Sequence, residues 1–383
     1  MKKKLLLIAS YVLVAALATV VTLALVQRKI DLGPSKLEQL ESLIEERFIG
    51  EADLEQLEDA AADAMVNAMG DRWSYYIPAS EYEAYEEQMN NAYVGVGITI
   101  QKEENDEGFL VIAVAARGPA EEAGMQVQDL VVKVADQDVR QMTTTELRDL
   151  VKGKEGTFVS MTILRKGEVM TLSVERRQVE TPVATFEMLK DNVGLVTIEN
   201  FDSRCTEETI AAIETLLDNG AEKLIFDVRN NPGGYAHELI DVLDYLLPKG
   251  EIFHTVNYKG DEDISYSDAD CLEVPMVVLV NGSSYSAAEF FAEALRQYGV
   301  ASVVGEPTVG KGYFQTTIRL NDGSAVALSV GKYYTPNGES LADVGITPDH
   351  VIPLSEEEAF DLYYDLLPPE KDPHIQMALK ILK

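Results

Sequence analysis

The sequence has few cysteines, few histidines and little positive charge. Its 383 residues include two cysteines and four histidines, and 32 Lys and Arg residues stand against 65 Asp and Glu residues. The net charge of −33 would repel a phosphate backbone, which excludes nucleic acid as a partner. Cys205 and Cys271 form neither a disulfide framework nor a CxxC zinc pattern, although one disulfide between them is open. Because His, Cys and carboxylate residues show no metal-ligand spacing, we expect no metal and no cofactor.

The composition is that of a folded protein with several domains. Hydrophobic residues make up 46% and charged residues 25% of the chain, so it is neither disordered nor of low complexity. Since domains cluster at roughly 100–200 residues, the length predicts two or three of them.

Residues 1–30 are predicted to address the chain to a membrane. Three lysines at 2–4 precede an uncharged apolar stretch, 5–26, that is long enough to span a bilayer, and basic residues follow at 28–29. A cleaved signal peptide ending near 16–18 is the alternative, but apolar residues continue beyond that site. Under the positive-inside rule, the lysines stay cytoplasmic. We therefore expect a single-pass membrane protein whose remaining domains are extracytoplasmic.

Residues 35–91 predict a small helical domain. Leu37, Leu40 and Ile44 recur at helical spacing between acidic residues, and a similar pattern continues from Leu54. An aromatic patch then follows at residues 70–78, which we interpret as a packed corner.

Residues 92–178 change to the period of β-strands, with two short helices between them. This pattern, with Tyr93-Val94-Gly95-Val96-Gly97-Ile98 at its start, resembles a PDZ domain of the bacterial type. The resemblance implies that Gly95, Val96, Gly97 and Ile98 bind the terminal carboxylate of a peptide, which adds as a strand to the sheet edge. One position departs from the family: Gln128 stands where a glycine is usual, at a turn that favours positive φ.

Residues 179–352 alternate apolar strands with helices, which predicts a mostly parallel sheet covered on both faces. A turn at 321–323 predicts a hairpin. The remaining tail, 353–383, is acidic with aromatic and leucine residues, and it could pack on this domain or on a second subunit.

Two strand-to-helix junctions of this domain are rich in small residues, at 227–234 and 281–289. Active sites of parallel sheets lie at the carboxyl ends of the strands, so both junctions belong at one edge. Ser286 precedes a predicted helix, where an exposed hydroxyl and unpaired N–H groups suit a nucleophile whose product is an oxyanion. From the residues alone, a helix N-cap is an equally simple interpretation of Ser286.

A nucleophilic serine needs a base. The four histidines are His237, His254, His350 and His374, and none is well placed; His237 lies within a helical pattern, although a Ser–His pair with it stays open. A lysine can serve if its charge is removed, and Lys311 lies between two glycines. A solvated surface lysine is the alternative.

The combined motifs resemble the C-terminal processing (tail-specific) serine proteases. Their signature is matched by Ser286-Ala287-Ala288-Glu289, Gly305-Glu306-Pro307-Thr308, Gly310-Lys311-Gly312 and Gln315, with 227–234 and 345–349 as further matching segments. The resemblance implies a crotonase/ClpP-like protease core in which Ser286 is the nucleophile, Lys311 the general base and Gln315 the residue that helps to hold the lysine. The lysine must lose roughly 3 pKa units by burial to act near neutrality.

The oxyanion should be bound by the N–H of Ala287 and by that of Gly233 or Gly234, between which the sequence does not choose. Glu289 is assigned a helix-dipole role only. We therefore predict a membrane-anchored serine endopeptidase that acts on proteins with free C-termini, with a homodimer expected from the family alone. The rival functions are a catalytically silent scaffold and a crotonase-like lyase or hydrolase.

Overall fold

The computed structural model describes residue 11 and residues 13–22, 33–103 and 107–383. It divides the chain into two compact units, Met1–Gly70 and Asp71–Lys383. In the first unit, residues 13–22 are helical, and α1 (Lys36–Arg47) and α2 (Leu54–Asn67) follow. No helix within these described ranges is long and apolar enough to cross a bilayer, and the predicted anchor falls largely outside them.

The helices of the first unit begin at capping residues. The side chain of Ser35 accepts a hydrogen bond from the N–H of Glu38, whose carboxylate returns the bond to the N–H of Ser35. The side chain of Asp53 accepts from Gln56 N–H in the same way. These local bonds satisfy N–H groups that a helix leaves unpaired, which is why the polar residue fixes each start.

The second unit opens with β1 (Tyr75–Ile77) and α3 (Ala79–Met89). Residues 71–91 lie in the larger unit, although the helical spacing of apolar residues predicts that they belong with the preceding helices.

The PDZ-like part is a sheet with two helices. Its elements are β2 (Ala92–Gly95), β3 (Ile98–Lys102), β4 (Phe109–Val114), α4 (Pro119–Glu122), β5 (Leu130–Val134), β6 (Gln137–Asp138), α5 (Thr144–Val151), β7 (Phe158–Arg165), β8 (Glu168–Glu175) and β9 (Arg177–Glu180). The main sheet has the order β3-β4-β5-β7-β8, with β6 on β5, and β2 pairs with β9. Gln128 has a φ of 72°, so the turn keeps the left-handed conformation despite the missing glycine.

The protease part contains ten strands and five α-helices among the described residues. They are β10 (Ala184–Met188), β11 (Val193–Ile198), α6 (Cys205–Asp218), β12 (Lys223–Asp227), α7 (Ala236–Leu246), β13 (Gly250–Asn257), β14 (Glu262–Ser267), β15 (Met276–Val280), α8 (Ala287–Gln297), β16 (Ala301–Gly305), β17 (Tyr313–Arg319), β18 (Ala325–Tyr334), β19 (His350–Val351), α9 (Glu356–Tyr363) and α10 (Pro373–Ile381). A 3-10 turn occupies Lys190–Asn192.

The central sheet has the order β10-β11-β12-β15-β16-β19, and only β10 runs antiparallel to its neighbour. Residues of α6, α7 and α8 form the core on one face, and α10 packs through Ile375, Ala378 and Leu379 on the other. Burial on both faces explains why every residue of β15 is apolar and buried. Of the two alternatives for the tail, α10 therefore packs on its own domain.

A second sheet, β1-β18-β13-β14 with β17 on β18, is antiparallel. The sequence predicted only its β17–β18 hairpin. Strand β1 pairs Tyr75 with Ala327 and Ile77 with Ala325, so a segment from before the PDZ-like part belongs to the protease sheet. Cys205 and Cys271 are both free, which closes the question of a disulfide between them.

Candidate active site

The loops that follow β11, β12 and β15 meet at one edge of the parallel sheet. Two hydrogen bonds join the second and third loops: the backbone N–H of Asn230 donates to Asn281 Oδ1 at 2.9 Å, and Asn281 Nδ2 donates to Asn230 Oδ1 at 2.8 Å. Phe201, after β11, donates its N–H to the carbonyl of Gly233 at 2.7 Å. These contacts hold the two predicted junctions against each other, as the parallel register requires.

Ser286 lies at the start of α8 in a strained conformation. Its φ of 60° and ψ of −121° are rare for a residue with a side chain, which costs on the order of 1–3 kcal/mol. Its N–H donates to Glu289 Oε2 at 3.0 Å. A sharp turn of this kind presents the hydroxyl above the helix N-terminus, and strain retained at one residue suits a functional position better than a capping one.

The glycine loop touches the nucleophile. A Cβ on Gly233 would lie 2.7 Å from the Cβ of Ser286 and 2.9 Å from the nitrogen of Ala287, so no side chain fits there. The N–H of Gly233 donates to Asn231 Oδ1 at 2.8 Å. Within the part of the chain that the structure describes, no acceptor takes the N–H of Gly234 or of Ala287. The two unpaired donors are therefore those of Gly234 and Ala287.

Lys311 places its amine against aromatic faces. Its Nζ lies 5.0 Å from the ring centroid of Trp73 and 5.8 Å from that of Tyr285, and the two rings stack at 5.9 Å. Burial lowers the pKa of Lys311 from 10.5 to about 8, although the carboxylates of Asp71 and Glu289 oppose this shift. The side chain is thus partly desolvated rather than a solvated surface lysine.

Ser286 and Lys311 are not hydrogen-bonded to each other in this state. The hydroxyl of Tyr333 donates to the backbone carbonyl of Lys311. Burial raises the pKa of the Tyr333 phenol well above its usual value, so the group stays neutral.

Glu289 is the functional residue that the sequence analysis missed. Its fully buried carboxylate accepts the backbone N–H groups of Ser286, Gly310 and Lys311 at 3.0, 2.7 and 2.9 Å, and it also accepts from the Thr308 hydroxyl. It therefore ties the nucleophile turn to the lysine turn. Its position at N3 of a helix has a simple dipole explanation, so the sequence held no signal for this wider role.

Gln315 lies on β17 but does not contact the lysine amine. Its Nε2 donates to the carbonyl of Tyr313 at 3.2 Å and to Ser329 Oγ at 3.1 Å. The predicted aromatic corner lies next to Gln315, because its Ser74 Oγ accepts from the N–H of Ser329 at 3.0 Å. The corner therefore packs beside Lys311.

Two other groups organise the loops. Asp227 accepts from the N–H and Nε of Arg229 at 3.0 and 2.8 Å, and Arg229 also pairs with Asp372 at 2.7 Å in the interior. Asp202 follows Phe201 and is 5% exposed; burial raises its pKa to about 7.

The side chain of His237 is 68% exposed on α7, so the structure offers no support for it as a buried triad base.

The predicted carboxylate-binding residues lie at the entry to the PDZ-like sheet. The carbonyls of Val96 and Gly97 accept from Ala120 and Ala115, both at 2.9 Å. No acceptor in the described ranges takes the N–H of Val96 or of Gly97, which has a φ of 75°. Ile98 begins β3, which is an edge strand and therefore has a free side for an added strand.

Comparisons with known proteins agree with these two parts. Residues 192–352 match the model of peptidase family S41, and residues 110–165 match a PDZ domain model. The chain is 31% identical over 361 residues to the carboxy-terminal processing protease CtpA of Bacillus subtilis (strain 168), covering 91% of this chain and 77% of that protein. It is 28% identical over 362 residues to a probable CtpA-like serine protease of Staphylococcus aureus (strain MSSA476), covering 92% and 72%.

A likeness in fold also extends to a more distant protein. The solved structure of the tricorn protease aligns with a TM-score of 0.50 at 17% identity, covering 76% of this chain and 29% of that one. At this identity the likeness concerns the fold alone.

Proposed function

The chain is a serine peptidase that belongs to peptidase family S41, among the carboxy-terminal processing proteases, and we propose that Ser286 and Lys311 form its catalytic dyad. The observation that carries this proposal is the environment of the Lys311 amine, which is buried against aromatic rings while its backbone is tied to that of Ser286 through Glu289. A base of this kind acts near neutrality without a histidine.

In the proposed reaction, the hydroxyl of Ser286 first bonds to the neutral amine of Lys311. The amine takes the proton, the serine oxygen attacks the substrate carbonyl, and the protonated lysine supplies a proton to the leaving amine. An acyl-enzyme forms on Ser286, and water releases it with the same base.

The negative charge on the substrate oxygen is assigned to the N–H groups of Ala287 and Gly234. The choice of Gly234 rests on the bond that already engages the N–H of Gly233. Donors preorganised in this way stabilise charge as it develops and require no rearrangement during the reaction. Gly233 has the separate task of leaving space beside Ser286.

Substrates are proposed to be proteins recognised by free C-termini. The supporting feature is the edge strand β3 with the unpaired N–H groups of Val96 and Gly97 before it. A terminal carboxylate would bind these donors, and the preceding residues would extend the sheet. A peptide that ends in an amide should therefore bind more weakly than its acid.

The chain is further proposed to be anchored in a membrane with its catalytic part extracytoplasmic. The support is the uncharged stretch 5–26 behind three lysines. Retention of the full chain in membranes after alkaline carbonate washing would support the anchor, and complete release would contradict it. The homodimer stays a prediction, which light scattering of the full chain tests.

The dyad is tested with Ser286→Ala and Lys311→Ala on an unfolded protein substrate labelled at its tail. Both variants should lose at least about a thousandfold in kcat/KM, because nucleophile and base act as one unit. Matched controls are Ser283→Ala, an exposed serine of the same loop, and Lys332→Ala, an exposed lysine whose Nζ lies 5.3 Å from the Tyr313 ring centroid. Undiminished cleavage by either dyad variant would refute the assignment.

A further inference from the structure

We propose that Asp71 is a positioning residue for Lys311, acting through Trp73 and through its own charge. Asp71 belongs to the aromatic corner before the PDZ-like part, 240 positions from the lysine it would serve. The inference rests on the proposed function of Lys311 as the general base.

The argument starts from the polarity of a hydrogen-bond network. The Asp71 carboxylate accepts from the N–H of Trp73 at 3.1 Å and from the hydroxyl of Ser74 at 2.6 Å. Burial raises the pKa of Asp71, but these bonds and the charge of Lys311 bring the pKa below its usual value. The group is therefore ionised near neutral pH and can only accept.

An acceptor at one end fixes the direction of the bonds behind it. The Ser74 hydroxyl has one proton, and that proton goes to Asp71. Its oxygen can then only accept, which it does from the N–H of Ser329 at 3.0 Å. Asp71 thereby holds the corner that carries Trp73 against β18.

The network lies directly against the lysine. Trp73, whose N–H is bound by Asp71, contributes the ring at 5.0 Å from Lys311 Nζ. An amine whose N–H groups are held against an aromatic face has its lone pair directed elsewhere, and general base catalysis needs that lone pair aimed at Ser286. Asp71 would thus orient the base without touching substrate.

The charged and aromatic groups around Lys311 come from four elements. Asp71 precedes β1, Glu289 lies on α8, Tyr285 precedes α8, and Tyr333, which bonds to the backbone carbonyl of Lys311, lies on β18. The guanidinium of Arg72 lies over the Trp73 ring at 4.2 Å from its centroid. Asp71 and Glu289 are the two carboxylates that favour the protonated lysine. Removing the charge of Asp71 must therefore make the amine lose its proton at lower pH.

The proton affinity of Lys311 can be measured without relying on cleavage. The full chain carrying Ser286→Ala is labelled with trace acetic anhydride across a pH range, and the acetylation of Lys311 is followed by mass spectrometry of tryptic peptide 297–319. The labelling midpoint should lie near pH 8. Adding Asp71→Asn should lower it by about 0.5 to 1 unit.

Two further variants separate charge from folding. Asp71→Glu keeps the charge and should return the midpoint to that of the parent. Asp322→Asn is the matched control, because Asp322 accepts from the N–H and hydroxyl of Ser324 at 3.0 and 2.7 Å in a similar turn but is not among the groups that shift Lys311. It should leave the midpoint unchanged.

The positioning of the amine by Asp71 is tested by the cleavage kinetics of the chain with Ser286 intact. At about pH 9.5, where the lysine of both proteins is mostly neutral, Asp71→Asn should lower kcat about tenfold with little change in KM. A labelling midpoint equal to that of the parent would overturn the role of Asp71 and leave the dyad intact. A parent midpoint near 10.5 would instead refute the general base on which the inference rests.

Discussion

The pH dependence of cleavage is the most direct consequence of the lysine environment. In the proposed dyad, Lys311 must be neutral to accept the proton of Ser286, and burial lowers its pKa from 10.5 to about 8. At pH 7, about 10% of the amines are then neutral, against about 0.03% for an unshifted lysine. This difference of about 300-fold corresponds to about 3 kcal/mol. We therefore expect kcat/KM to rise tenfold per pH unit below about pH 8 and to level off above it.

The assay is the initial rate on an internally quenched peptide without ionisable side chains, at substrate concentrations well below KM, so that the profile reports the free enzyme. Asp202 needs a control because burial raises its pKa to about 7, so it also loses a proton as the pH rises. Asp202→Asn should keep the same midpoint if Lys311 controls the rate. Far-ultraviolet circular dichroism at each pH confirms that the fold persists.

Two results would refute this reasoning. A midpoint near 6.5 would indicate a histidine-like group, and the exposed His237 would have to be reconsidered. A profile whose rising limb disappears in Asp202→Asn would assign the titration to that carboxyl instead of to the amine.

Two further substitutions test the loops around the site. Gly233→Ala should lower kcat/KM at least about a hundredfold, because its Cβ would press on Ser286; Gly220→Ala has a similar φ of 92° but open space, and it should leave the activity near that of the parent. Similar losses in both would point to backbone strain as the cause. Arg229→Ala should lower the free energy of unfolding in urea by about 3–5 kcal/mol, because two buried carboxylates would lose their partner. A change below about 1 kcal/mol would contradict the proposed role of this ion pair.

Much of the protease sheet was predictable because its strands are buried on both faces. Continuous apolar runs such as Val277–Val280 leave no other place for these residues than the interior. Parallel register then brings the strand ends together, which is why Ser286 and the glycine loop were expected at one edge and lie there. The antiparallel sheet was harder to predict, since β13 and β14 are half-exposed and carry polar residues that also suit loops.

The environment of the lysine could not be read from its neighbours in the chain. Glycines around Lys311 are equally compatible with a solvated turn, and only the packing of Trp73 and Tyr285 makes the amine lose solvent. Glu289 has an adequate local explanation at a helix start, which conceals its bonds to the turn that carries Lys311. Long-range contacts of this kind leave no local pattern of spacing.

Local chemistry and hydrophobic period therefore sufficed for the strand ends and for the turn at Ser286, because each depends on residues close together in the chain; the choice of Ser286 as candidate nucleophile came from the combined motifs. Folding settled what depends on distant segments: that the Trp73 ring lies against the Lys311 amine and that α10 covers the sheet. These outcomes follow from where burial and hydrogen bonding place groups in space, and a linear pattern does not record that placement.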